Sequence, residues 1–434
     1  MKRRVLLATL LLAASARAGA PPCPFAAGAR PADTLPAGAP HGSLIPLDAI
    51  VVLMQENRPF DHYFGRLHVE GKRASEGEPR DAANPNPQGG APVAAFHQGR
   101  YCEVADLDHS WNGTHREWNG GAMDGFTAAN VDAHDPTGSR TMGYYDRRDL
   151  PFYYALYRKF ATGDRFFCSL LSQTFPNRFY LLAGTSFGHI RNDIPGPGEA
   201  TEFAQPTIFN RLDDAGIAWK VYSSQLPFAN LFAYVRNTRQ ANVVPIAQYF
   251  ADAVNGTLPQ VAFVDPIFAD RPTRENDEHP PANVQVGQEF VSRVVKALFT
   301  SPQWRRAALF LTYDEHGGFF DHVPPPSACV PDAIPPMLQP GDEPGAFDRY
   351  GIRVPVVVVS PYARRRFVSH EAHDHTSILR FIATRFDLPA LTARDANADP
   401  MLEFFDFGHP RFRKPPRLPK ARINPKRLAQ CGTP

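Results

Sequence analysis

The chain has 434 residues, of which 43% are hydrophobic, and this length is enough to bury a sizeable core. Its formal net charge is only +2, which excludes the basic excess that is typical of proteins that bind nucleic acids. We therefore expect no nucleic-acid partner.

The first twenty residues predict an export signal. Basic residues 2–4 precede an apolar run over residues 5–14, and small residues around Ala18 offer cleavage sites. The paired arginines are compatible with the Sec and the twin-arginine routes. No other apolar stretch reaches the roughly 18 to 20 residues of a membrane-spanning helix. The sequence predicts an exported, periplasmic or secreted protein with no transmembrane segment, made of a signal peptide (1–20), a catalytic domain (21–405) and a basic, Pro-rich tail (406–434).

The first chemical segment follows an irregular lead-in and reads LDAIVVLMQENRPFDHYFG over residues 47–65. Its apolar run from Ile50 to Met54 predicts a strand that is buried on both faces, as in a parallel sheet covered by helices. Glu56 and Asn57 come directly after this strand, where open α/β sheets bind their ligands. A carboxylate and an amide oxygen at this point suit a hard metal ion. The alternative is that the pair only caps the next turn.

The second chemical segment reads SLLSQTFPNRFYLLAG over residues 169–184 and predicts a helix that begins near Thr174. A hydroxyl at a helix N-terminus lies beside free backbone N–H groups and the positive end of the helix dipole, which together form an anion-binding position. The alternative is that Thr174 only caps the helix.

Further apolar runs predict more strands of the same sheet, and helical spacing between them predicts covering helices. The strands are expected at residues 218–222, 260–264, 308–313 and 354–359, and the helices at 150–160, 207–215, 283–299 and 377–385. This alternation predicts a doubly wound α/β layer fold. Acidic residues recur just past three of the strands, at Glu56, Asp265 and Asp314, so one sheet edge should collect them.

Three other features have more than one interpretation. Residues 370–375, HEAHDH, resemble a metal cluster in composition, but Asp374 or Thr376 also suits the N-cap of the following helix. The tail beyond Asp406 is basic, which predicts a solvated, partly disordered segment or, alternatively, peripheral contact with anionic lipid. The five cysteines follow the signal at wide spacing, which predicts at most two disulfides and a leftover thiol.

The polar residues at the predicted sheet edge suit phosphoryl transfer. Oxygen ligands from separated strands favour a divalent cation such as Ca²⁺, Mg²⁺ or Mn²⁺; the candidates are Glu56, Asn57, Asp314 and Glu315. Thr174 can then act as nucleophile on phosphorus, forming a covalent phospho-threonine that water releases. His109 and His279 can hydrogen-bond the phosphoryl oxygens or protonate the leaving alkoxide.

Six segments resemble, in order, the blocks of the phosphoesterase family that unites non-specific phospholipases C of bacteria and plants with a group of bacterial acid phosphatases. They are ENRPFDHYFG, DLDHSW, TFPNRFYLLAGTS, ENDEHPP, LTYDEHGGFFDHV and HDHTSILRF, within residues 45–390. Pro59 replaces the usual Ser in the first block. The resemblance implies an alkaline-phosphatase-like fold. It also implies metal-binding positions at Glu56, Asn57, Asp314 and Glu315, a nucleophile at Thr174, and phosphate-contacting histidines at His109 and His279.

Within the family the resemblance favours the phospholipases, which carry Thr at the position of Thr174, whereas the acid phosphatases carry Ser. The sequence hypothesis is therefore an exported, metal-dependent phospholipase C that releases a phosphorylated head group and diacylglycerol. Its rivals are an acid phosphatase that uses the same residues on soluble monoesters, and a catalytically silent binding protein on the same fold. A sulfate-ester hydrolase would require a cysteine-based signature that the sequence lacks.

Overall fold

A central sheet of eight strands organises the structure, a computed structural model that describes residues 23–193, 203–225 and 227–431. The strands are β1 Ala49–Gln55, β2 Ala161–Gly163, β3 Trp219–Ser223, β4 Val243–Pro245, β5 Val261–Val264, β6 Ala307–Tyr313, β7 Val356–Val359 and β8 Val368–Ser369. Their order across the sheet is β8-β2-β7-β6-β1-β5-β3-β4. The predicted signal peptide lies outside the described residues.

The sheet is mostly parallel, as predicted. β1 lies near its centre and pairs in parallel with β6 on one side and β5 on the other. The antiparallel strand is β7, which opposes both β6 and β2. All seven residues of β1 and of β6 are buried, as expected for strands that are covered on both faces.

Helices cover both faces of the sheet. They are α1 Pro31–Thr34, α2 Phe60–Phe64, α3 Trp111–Trp118, α4 Phe126–Ala129, α5 Pro151–Lys159, α6 Thr174–Ala183, α7 Ile208–Asp214, α8 Ala233–Thr238, α9 Ile246–Asn255, α10 Val284–Thr300, α11 His375–Phe386, α12 Ala393–Asn397 and α13 Pro425–Leu428. Phe209 of α7 packs against Trp219, and Tyr249 of α9 packs against Tyr222. Trp219 and Tyr222 are three residues apart on one strand and so point to opposite faces. This arrangement agrees with the predicted α/β class, in which helices flank both faces of a central, mostly parallel sheet.

Two short ladders lie outside the main sheet. Ala83–Asn84 pairs with Val93–Ala94, and Phe96–His97 pairs with Gly143–Tyr144. Among the described residues, no helix combines the length and the apolar character that a membrane span requires.

The carboxyl ends of β1, β5 and β6 meet at one edge of the sheet because the three strands are parallel neighbours. Glu56, Asp265 and Asp314 each follow one of these strands directly. The edge therefore gathers acidic side chains, as their recurrence in the sequence predicts.

The described part of the basic tail packs along the molecule toward the start of α10. Trp304, which precedes β6 at the opposite edge, donates its indole N–H to the carbonyl of Phe412 at 2.9 Å. Farther along, the backbone N–H of Asn424 donates to Gln285 at the start of α10 at 2.8 Å, and a disulfide joins Cys102 to Cys431. The tail thus differs from the partly disordered segment that its composition predicts, because a covalent bond and a buried aromatic ring hold it.

Cysteine pairing follows the prediction of two disulfides and one free thiol. Cys23 pairs with Cys329, Cys102 pairs with Cys431, and Cys168 is free and buried. Disulfides of this kind are typical of proteins that fold outside the cytoplasm.

Candidate active site

Glu56 and Asn57 form a tight turn at the end of β1. Asn57 adopts a left-handed conformation (φ 60°), and its backbone N–H donates to Asp314 Oδ1 at 3.1 Å. Gly317 closes against this turn with φ +65°, and a Cβ there would lie 2.4 Å from the carbonyl oxygen of Asn57. A glycine is therefore required at this position if the ends of β1 and β6 are to meet.

Thr174 is the first residue of α6 and is 5% exposed. Gln173 occupies the N-cap position, so the alternative interpretation, in which Thr174 only caps the helix, is wrong. Within the described part of the chain, the Thr174 hydroxyl makes no hydrogen bond. It is thus available at the N-terminal end of α6, where the helix dipole is positive.

Asn177 fixes the loop that leads into Thr174. Its side-chain oxygen accepts from the backbone N–H groups of Ser169 and Leu170 at 2.8 and 3.1 Å. Its amide donates to the carbonyls of Ser172, Gln173 and Leu170 at 2.8, 3.1 and 3.4 Å. One buried side chain therefore holds both ends of the loop before α6.

Arg178 connects α6 to the two central strands. Its guanidinium lies 3.1 Å from Glu56 Oε1 and donates to Asp314 Oδ2 at 3.0 Å. Because residues four apart share one face of a helix, the same surface of α6 presents Thr174 and Arg178. The guanidinium also packs over the rings of Phe228 and Phe268.

The two histidines lie together on the other side of the acidic residues. The His109 Nδ1 donates to the Leu107 carbonyl at 2.8 Å, and its Nε2 lies 3.4 Å from the Asn57 amide and 3.9 Å from Glu315 Oε1. The rings of His109 and His279 have centroids 5.8 Å apart. Asp106 lies between them, with Oδ2 3.6 Å from His279 Nε2.

A pocket of about 800 Å³ opens onto this constellation. Thr174, Glu56 and His279 contribute to its lining beside the acidic residues Glu275 and Asp270. Its remaining wall is largely aromatic and apolar and includes Phe175, Pro227, Phe228, Leu231, Phe268, Pro280 and Pro281. The polar centre therefore faces a cleft that has one strongly apolar side.

Burial and mutual repulsion shift the ionisation of the central carboxyls. Burial, reinforced by Glu315 and Glu275 and opposed by Arg178, raises the pKa of Glu56 to about 7. Burial and the neighbouring acids also raise the pKa of Asp314. Burial alone would lower the pKa of His109, but Glu315 and Asp106 raise it to about 10, so this imidazole is protonated at neutral pH.

Two oxygens at the centre lack a hydrogen-bond partner in the described residues. They are Asn57 Oδ1 and Glu315 Oε1, and both are buried. Orphaned buried oxygens among several carboxyls are what a bound hard cation would satisfy. Acidic and histidine groups here, including Asp106, His109 and His279 within 4.8 Å of one another, offer further metal ligands.

Comparison with known proteins decides the family. Residues 47–389 match the Phosphoesterase family. The chain belongs to this family. The phosphoesterase is 36% identical to phospholipase C B of Mycobacterium tuberculosis (strain ATCC 25618 / H37Rv), over 91% of this chain and 84% of that protein. It is 31% identical to non-specific phospholipase C1 of Arabidopsis thaliana, over 89% of this chain and 76% of that protein. The phosphoesterase is therefore a phosphoric-ester hydrolase.

Solved structures are more distant. A protein in the alkaline phosphatase superfamily from Vibrio parahaemolyticus aligns with a TM-score of 0.34 and 10% identity, covering 74% of each chain. A TM-score this low carries no argument about the activity of the phosphoesterase.

Several residues of the family blocks have framework contacts rather than access to the pocket. Arg58 donates to the backbone carbonyl of Glu278, and buried Asp61 pairs with Arg353 at 2.7 Å. Asp374 caps α11 through a capping box with Ser377, as the capping interpretation of residues 370–375 predicts. In the same segment, His373 lies within 4.8 Å of Asp399 and Glu403.

The structure brings all seven predicted site residues into one connected constellation: Glu56, Asn57, His109, Thr174, His279, Asp314 and Glu315. The sequence interpretation missed Arg178, although its place four residues after Thr174 on a helix was a usable signal. It also missed Asn177, whose role depends on a loop conformation that the sequence does not reveal.

Proposed function

We propose that the phosphoesterase is an exported, metal-dependent enzyme of the phospholipase C type, which cleaves the phosphate–glycerol ester of phospholipids through a phospho-threonine at Thr174. Support comes from the relatives named phospholipase C and from a free hydroxyl at the start of α6 beside an acidic centre.

The apolar wall of the pocket favours a phospholipid as the substrate. Thr174 shares its cleft with a wall of phenylalanine, proline and leucine side chains. Ligand sites are commonly apolar, with a few placed polar groups that orient the ligand. An ester that has an apolar portion beside its phosphate matches this wall better than a small hydrophilic monoester does.

Glu56, Asn57, Asp314 and Glu315 would hold the divalent cation, Ca²⁺, Mg²⁺ or Mn²⁺. The partnerless oxygens of Asn57 and Glu315 support this assignment. When bound, such a cation neutralises phosphoryl oxygens and lowers the pKa of a nearby hydroxyl.

Thr174, His109 and His279 have separate roles in the proposed reaction. The Thr174 hydroxyl loses its proton to solvent, and its oxygen forms a bond to phosphorus while the bond between phosphorus and the glycerol oxygen breaks. His279 on the pocket wall gives a proton to the leaving alkoxide, and protonated His109 donates from Nε2 to a phosphoryl oxygen. Water next hydrolyses the phospho-threonine, which releases the phosphorylated head group and restores the hydroxyl.

A paired substrate assay tests this proposal. Purified enzyme with added metal is expected to release diacylglycerol from phosphatidylcholine faster than it releases phosphate from p-nitrophenyl phosphate. Phosphate release with no diacylglycerol would instead establish the rival acid phosphatase activity. Loss of both activities on chelation, with recovery on adding back Ca²⁺, Mg²⁺ or Mn²⁺, tests the cation.

Export and peripheral contact complete the proposal. Two disulfides and the predicted signal at residues 1–20 support a periplasmic or secreted location by the Sec or twin-arginine route. Cys431 of the basic tail lies close to the start of α10, and the lysines and arginines of the tail supply cations that attract anionic lipid.

A further inference from the structure

An uncharged loop with exposed apolar side chains lies close to the active-site mouth. Residues 333–341, AIPPMLQPG, contain no charged residue and are called the apolar loop below. Ile334, Met337 and Leu338 are 39%, 39% and 44% exposed. Several large apolar side chains that are exposed within one short segment indicate an interaction surface.

Backbone contacts join the apolar loop to the segment that supports Thr174. Met337 N–H donates to the carbonyl of Gly188 at 2.9 Å. The same segment continues to Asn192, whose side chain accepts from the backbone N–H of Phe175 at 2.8 Å. The loop is therefore only a few residues from the first turn of α6.

The other end of the apolar loop is joined to the segment that carries His109. Asn112 donates to the Gly341 carbonyl at 3.4 Å, and the Trp111 indole donates to the Glu343 carbonyl at 2.9 Å. The acids that flank this end are neutralised, since Asp342 pairs with Arg191 and Glu343 pairs with Arg116.

We propose that the apolar loop inserts into a phospholipid surface and holds the active-site mouth against it. This inference rests on the proposed phospholipase function, because a lipid substrate must reach Thr174 from an aggregate. A lipid surface is favoured over a protein partner because the loop is uncharged and the two acids that follow it are paired. The loop is also attached to the segment that supports Thr174 and to the segment that carries His109. Insertion of this kind depends on apolar area rather than on charge, so salt should not weaken it.

Substitutions matched in type test the proposal in the full-length enzyme. The variant Met337→Ser/Leu338→Ser should reduce sedimentation with phosphatidylcholine vesicles by about tenfold or more. Its hydrolysis of vesicles should fall likewise, whereas hydrolysis of monomeric dihexanoyl-phosphatidylcholine and the Tm should stay unchanged. The control is Leu44→Ser/Val254→Ser, because these side chains are 66% and 65% exposed but lie toward the amino edge of the sheet.

Each outcome decides the matter. The proposal is overturned if the loop variant binds vesicles as wild type does, if the control loses as much binding, or if high salt releases the wild-type enzyme. If the wild-type enzyme hydrolyses neither form of phosphatidylcholine, the proposed function fails, but vesicle sedimentation still measures whether the apolar loop binds lipid.

A Leu338→Trp variant gives a second measurement of insertion. Its fluorescence emission should shift to the blue when vesicles are added, and the emission of Leu44→Trp should not.

Discussion

Arg178 holds two carboxyls that would otherwise repel each other. Its guanidinium contacts both Glu56 and Asp314, and all three side chains are buried. Removing one partner of a buried ion pair leaves an uncompensated charge, which is far more costly than losing an exposed pair.

We therefore expect Arg178→Met to lower the free energy of unfolding of the metal-free enzyme by about 3 kcal/mol. Urea denaturation at pH 7.5 measures this change. Saturating divalent cation should recover part of the loss, because it supplies the missing positive charge. Arg116→Met is the matched control, since Arg116 pairs with Glu343 on the surface and should cost less than about 1 kcal/mol. Equal losses in the two variants would contradict the role of Arg178.

The raised pKa of Glu56 predicts a pH-dependent response to metal. A carboxyl whose folded pKa is about 7, above its ordinary value of 4.5, stabilises the metal-free fold below pH 4.5 and loses that contribution as pH rises through 7. A cation must displace the proton, so its affinity should rise up to about tenfold per pH unit below pH 7. Thermal shifts on adding metal should be larger at pH 8 than at pH 6, and Glu56→Gln should reduce the difference, leaving the part that the raised pKa of Asp314 causes. Equal shifts at both pH values in the wild-type enzyme would argue against Glu56 as a ligand.

Some residues of the site can be predicted from the sequence, and others cannot. Glu56, Asp314 and Thr174 were predictable because each follows a strand or begins a helix that its neighbours define. Arg178 was not assigned, since its role is to pair with acids that are 122 and 136 residues away in the chain. Contacts over such distances depend on the fold rather than on local pattern.

At the scale of elements, α6 and the loop before it form the unit that presents the nucleophile. Asn177→Ala should remove five hydrogen bonds that hold this loop, and so lower the free energy of unfolding by about 2 kcal/mol and change kcat more than KM. Kinetics on monomeric phospholipid and urea denaturation measure the two effects. The control is Asn210→Ala in the capping box of α7, which should cost about 1 kcal/mol and leave kcat unchanged. A normal kcat for Asn177→Ala would show that the loop needs no such support.

Length explains which elements the sequence predicts. Long apolar runs identify β1 and β6, and helical spacing identifies α10, because each covers several periods of its pattern. The strands β2, β4 and β8 have three, three and two residues and escape prediction, since so few residues carry no periodicity. The reversed direction of β7 also follows from chain connections and not from its VVVV sequence.

At the scale of the whole molecule, each disulfide joins two segments that are more than 300 residues apart in the chain. The Cys102–Cys431 bond spans 329 residues and ties the tail beside the start of α10. Replacing both cysteines by Ser should lower the free energy of unfolding by about 3 kcal/mol, because the unfolded chain gains freedom when a long loop is opened. Urea denaturation without reductant measures the loss. An unchanged midpoint would mean that packing alone, through residues such as Phe412, holds the tail.

The account as a whole depends on Thr174 as the nucleophile. The most direct test is diacylglycerol release from phosphatidylcholine by Thr174→Ala and Thr174→Ser, each with saturating metal and with its Tm measured beside wild type. The account predicts a loss of about a thousandfold or more for Thr174→Ala, partial activity for Thr174→Ser, and an unchanged Tm for both. Release by Thr174→Ala at the wild-type rate would contradict it.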